Sequence, residues 1–83
     1  MRAEDLLPDH LSKGDFDGVS VRKGTAGAFL VNARVWIDAS AAANERIVAE
    51  RDIVDSLPAL RALGLFNVLQ IRDPRLQALV DSH

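Results

Sequence analysis

Thr25-Ala26-Gly27-Ala28-Phe29-Leu30-Val31-Asn32-Ala33-Arg34-Val35-Trp36-Ile37-Asp38 can be a strand or a helix, and that choice sets the fold. As a strand it alternates, with Phe29, Val31, Ala33, Val35 and Ile37 on one face and Leu30, Asn32, Arg34, Trp36 and Asp38 on the other. As a helix, Ala26, Phe29, Leu30, Ala33 and Ile37 recur at spacings of three and four, and Thr25 offers an N-cap hydroxyl. The segment outruns a typical strand of about five or six residues, so helix is the better reading. A helix apolar around most of its circumference must be central, or must cover its second side with a partner chain.

On the N-terminal side, Gly18-Val19-Ser20-Val21-Arg22 alternates between glycines and predicts a short strand. A lone strand needs a partner, and a second copy across a dimer axis would supply one. Residues 1–17 contain Pro8, Gly14 and five acids, which suggests a short helix or turn near Asp5 to Leu11 followed by loop. On the C-terminal side, Ala39 to Ala43 reads as a connection and Asn44 as the N-cap of a helix from Glu45 to Ser56. Ile47, Val54 and Leu57 would face inward there, with Val48 and Ile53 at the edges, while Arg46 with Glu50 and Arg51 with Asp55 lace the outer face.

Pro58 should break that ladder and open a new helix, which Gly64 ends in a left-handed cap, returning Leu65 and Phe66 to the core. Asp73-Pro74 reads as an N-cap followed by proline at the first helical position, with a helix to about Val80 and an apolar stripe of Leu76, Leu79 and Val80. The expected fold is mainly α: a small bundle of about four helices with a short N-terminal β-strand or hairpin, in one domain spanning residues 1–83.

Composition narrows the function classes. The 48% hydrophobic and 27% charged content of these 83 residues is that of a folding domain, not of a disordered chain. The absence of cysteine removes disulfides, thiol catalysis and thiolate metal sites. A formal charge of −2 gives no electrostatic footprint for nucleic acid. The acidic start through Asp5, followed by Pro8, lacks the pattern of a secretory signal, and the apolar runs are too short to span a bilayer. The expectation is a cytoplasmic protein with no membrane or nucleic-acid partner.

The run Val21-Arg22-Lys23-Gly24-Thr25-Ala26-Gly27-Ala28-Phe29-Leu30-Val31-Asn32, with Glu50-Arg51-Asp52-Ile53 and Pro58-Ala59-Leu60-Arg61-Ala62-Leu63-Gly64-Leu65-Phe66, resembles a group of short uncharacterised bacterial proteins. The resemblance covers roughly residues 18 to 67. It implies a compact, mostly helical bacterial domain and brings no activity with it, because the matched residues are small, apolar or capping.

Several residues are candidates for chemistry. Arg22, Lys23, Gly24 and Thr25 precede a helix, where free backbone N–H groups, the macrodipole and two cations could hold an anion, with Asn32 and Arg34 nearby. Capping alone also accounts for Gly24 and Thr25, and the order Lys23-Gly24 is not that of a P-loop. Trp36 is an interface candidate by residue type, though a single tryptophan also suits the core.

Asp15-Phe16-Asp17-Gly18 lacks the distal ligands of a calcium loop and reads as a glycine turn. His10 has no histidine partner at metal-binding spacing. Asp55-Ser56-Leu57 matches the phosphopantetheine tripeptide of acyl carrier proteins, but it sits late in the chain, without the preceding glycine motif and with Pro58 directly after. No catalytic residue, metal or cofactor is expected. The leading expectation is a non-enzymatic interaction module, self-associating or binding a protein partner through the apolar excess of residues 26 to 37; the alternative is a small-ligand or enzyme-accessory domain that binds an anion.

Overall fold

The computed structural model describes residues 13–16, 18–22 and 24–83, with the side chains of 13–16 and 20 left aside. The helix or turn expected near Asp5 to Leu11, and with it His10, lies outside the described residues, as do Asp17 and Lys23. The elements run β1 (Lys13–Phe16), β2 (Val19–Arg22), α1 (Thr25–Ile37), α2 (Ala43–Leu63), α3 (Leu65–Val68) and α4 (Pro74–Asp81). The described chain is a mainly helical bundle led by a hairpin.

Strand β2 forms where expected but pairs within its own chain. The segment taken for loop is β1, antiparallel to it from Lys13 opposite Arg22 to Phe16 opposite Val19. Gly18, in the connection between the two strands, has φ 79°. Asp-Gly between alternating residues is a strong hairpin signal, since two-residue turns need positive φ. Val21 of β2 is buried.

The ambiguous segment is the helix α1. Its N-cap is Gly24, at φ 90°, and not Thr25, whose hydroxyl donates to the Arg22 carbonyl at 2.8 Å. A left-handed cap favours glycine and moves the threonine into the first turn, facing back along the chain. Phe29 and Ala33 are buried, whereas Leu30 and Ile37 of the same expected stripe are exposed.

In α2 the sequence reading is corrected in four ways. The helix begins at Ala43 with Ala42 as N-cap, so Asn44 lies inside it. It continues through Pro58 to Leu63. A proline inside a helix forfeits one hydrogen bond and crowds the carbonyl four residues back, here that of Val54, at roughly 3 kcal/mol. An unbroken axis aligns Ile53, Leu57 and Leu60, each no more than 1% exposed, on a single face with Ala49, and that burial outweighs the loss. The inner face is therefore Ala49, Ile53, Leu57 and Leu60, while Ile47 and Val48 point to solvent. Lastly, Arg51 approaches Asp52 at 3.9 Å instead of Asp55, and Glu50 accepts a hydrogen bond from Trp36 instead of meeting Arg46.

Gly64 ends α2 at φ 83°, its N–H bonded to the carbonyls of Leu60 and Arg61. Leu65 and Phe66 follow in α3 and pack half-buried against the core. Asp73 caps α4, its Oδ1 accepting from the backbone N–H of Arg75 at 2.8 Å and of Leu76 at 3.0 Å, with Pro74 in the first turn. Leu76 and Val80 close a core shared with Phe29, Ala33, Ile53, Leu57 and Leu60. Arg61, near the end of α2, donates to the carbonyls of Val80 and His83 at 3.0 Å each and ties the last turn of α4 to α2. Among the described residues no helix is long and apolar enough to cross a membrane.

Candidate functional site

A groove of about 340 Å³ runs along α1 where the chain from α3 to α4 lies against it. Phe29 and Phe66 form part of its lining, edge to face with ring centroids 5.8 Å apart and planes at 75°. The position of Phe66 follows from the Gly64 cap, which turns the chain back so that Leu65 and Phe66 rejoin the core. Leu69 then leaves α3 in extended conformation, its N–H held by the Leu65 carbonyl at 2.9 Å. Its side chain is 59% exposed on one wall, and Leu30 from α1 is 61% exposed on the other. Ile37 and Ile71 extend the apolar lining.

Three charged residues also border this groove. Arg34 is one turn along α1 from Leu30, and Arg72 and Asp73 lead into α4. Asp73 is already engaged as the helix cap and lies 3.7 Å from the Arg75 guanidinium. The Leu76 N–H, helped by Arg75, holds its carboxyl below the ordinary aspartate range, against a smaller opposing effect of burial. Among the described residues neither Arg34 nor Arg72 has an acidic side chain within ion-pair distance.

The residues singled out for anion binding divide between places. Arg22, Thr25 and Asn32 line a shallow cleft beside β2 and α1, whereas Arg34 lies along the apolar groove. The shallow cleft also contains Asp52 and Asp55, whose carboxylates oppose an anion, and the Thr25 hydroxyl is spent on Arg22. Gly24 caps α1, and its carbonyl accepts from the Ala28 N–H at 2.9 Å. Ser56 is mid-helix and half-buried, with its hydroxyl donated to the Ile53 carbonyl at 2.7 Å. Trp36 is half-buried against the core and donates through Nε1 to Glu50 Oε1 at 3.1 Å.

Sequence reasoning missed Leu69, Ile71 and Arg72 as groove residues. Leu63 to Ile71 looked like one near-apolar run, and only the turn at Gly64 and the short α3 decide which of its side chains face inward. Arg34 was identified, but beside the wrong neighbours, because the position of α3 against α1 is a long-range contact that local spacing does not encode. Compared with known proteins, the chain matches no family model, no curated protein and no solved structure. The resemblance over residues 18–67 therefore carries no function to it.

Proposed function

We propose that this chain is a non-enzymatic interaction module that self-associates as a homodimer, using the groove between α1 and the α3–α4 stretch as its docking surface. The observation that supports this most is the pair Leu30 and Leu69, two leucines about 60% exposed on facing walls of an otherwise apolar groove. Scattered exposed leucines are ordinary, but a joined concave set of them favours a covered surface. Thr25 and Ser56 spend their hydroxyls on backbone bonds and Asp73 its carboxylate on a helix cap. We place the module in the cytoplasm, a compartment with which a cysteine-free chain is compatible.

Sedimentation equilibrium from micromolar to millimolar concentration tests the reading. The wild-type chain is expected to dimerise and Leu30→Glu to remain monomeric with an unchanged circular-dichroism spectrum and Tm. A wild-type monomer throughout that range overturns it.

A further inference from the structure

The groove is concave and its charges balance, so what fills it must be an apolar ridge. Arg34 shares a shallow cleft with Asp38, and Arg72 and Asp73 stand together on the groove itself. Both carboxyls are ionised at neutral pH, Asp38 held below the ordinary range chiefly by the Ser40 hydroxyl and Asp73 chiefly by the Leu76 N–H. A partner of one sign gains nothing there, and contact between apolar side chains decides the occupant. A second groove would not serve, because two hollows facing each other leave a void.

Residues 1–12 carry such a ridge, and the described chain starts at one end of the groove. Lys13 pairs with Arg22, and the Thr25 hydroxyl donates to the Arg22 carbonyl at 2.8 Å, so β1 begins beside the first turn of α1. Ala26 in that turn lines the groove, which follows α1 as far as Ile37, a length of about 16 Å at the rise of an α-helix. Twelve residues extend to about 40 Å, enough to reach a neighbouring copy and lie along its groove. Leu6, Leu7 and Leu11 give this segment apolar side chains, and Leu7 and Leu11, four apart, share one face of the helix expected near Asp5 to Leu11. Anchors at that spacing suit an apolar groove.

We infer that residues 5–11 of a second copy lie in the groove, Leu7 and Leu11 covering Leu30 and Leu69, and that two copies exchange these segments reciprocally. This rests on the proposed self-association and names the segment that meets the groove. Exchange of one identical segment between two copies closes a dimer and leaves both grooves covered.

Full-length chains test it. In sedimentation, Leu7→Glu combined with Leu11→Glu should associate about tenfold or more weakly than wild type, with an unchanged circular-dichroism spectrum. The absence of cysteine allows a second measurement that does not depend on a weakened variant. Isotope-labelled Leu7→Cys is mixed with unlabelled Leu69→Cys and oxidised, and the mixed disulfide should form in several-fold excess over that with Ile47→Cys, which is exposed on α2. If Leu30→Glu abolishes association while the Leu7 and Leu11 variant associates as wild type does, or if Leu7→Cys joins Ile47→Cys as readily as Leu69→Cys, the groove stands as the docking surface and the exchanged segment is overturned. A chain carrying both Leu7→Cys and Leu69→Cys that closes its disulfide as a monomer likewise overturns the exchange. A wild-type chain that stays monomeric overturns the self-association itself.

Discussion

Asp73 and Gly64 show how single residues fix the path that builds the groove. Asp73 was identifiable from the Asp-Pro pair alone, because a carboxylate preceding proline satisfies two orphan N–H groups where proline needs none. Its carboxyl titrates below its unfolded value, so its stabilising effect is complete above about pH 4, the unfolded aspartate value, and is lost as pH falls through the lower folded value. Thermal denaturation should therefore show a lower Tm for Asp73→Ala than for wild type at neutral pH, with the gap narrowing as acid protonates the wild-type cap. An Asp73→Ala deficit that persists unchanged in strong acid would mean that the charge is not what matters. Gly64 was equally legible. At φ 83° its position strains any L side chain, while an added Cβ would meet nothing closer than the Asn67 side-chain nitrogen at 3.7 Å. The demand there is conformational, not spatial.

Among the elements, α2 is where local rules and tertiary packing disagree. Pro58 pointed to a break, and by propensity that is sound, since a proline costs about 3 kcal/mol in a helix interior. The packing of Ile53, Leu57 and Leu60 on one face keeps the axis unbroken. If the proline is a tolerated cost, exposed Pro58→Ala should restore the donor to the Val54 carbonyl and raise stability by about 1–3 kcal/mol in equilibrium urea unfolding, with no change in helix length. A destabilised Pro58→Ala would show instead that the bend imposed by proline is needed for the contacts of α2. For α1 the outcome was the reverse. Its helical spacing and its length both pointed to the observed element, yet which apolar residues would be covered depended on α3, four residues long and placed by the turn at Gly64. Pairing of β2 was likewise nonlocal in appearance and local in fact, with the Asp17-Gly18 dipeptide carrying the signal.

At the scale of the molecule, the central question is whether the apolar residues of α1 serve folding or contact. Phe29 and Ala33 join Ile53, Leu57, Leu60, Leu76 and Val80 in one core, while Leu30 remains 61% exposed one residue away from Phe29. The two sets make opposite predictions. Leu60 is fully buried, so Leu60→Ala removes transfer energy and leaves a cavity, and urea unfolding should register a loss of about 2–5 kcal/mol. For a domain whose whole stability is about 5–15 kcal/mol, that is a large part of the fold. Leu30→Ala takes an exposed side chain from the surface and should change monomer stability by no more than about 0.5 kcal/mol. It should nevertheless weaken self-association, which is measured separately by sedimentation. If Leu30→Ala instead unfolds the monomer as Leu60→Ala does, Leu30 belongs to the core and the groove loses one wall. If stability holds while association falls, the apolar side chain at position 30 has its use in the contact between copies, and the apolar excess of α1 divides into a half that folds the chain and a half that joins it to another.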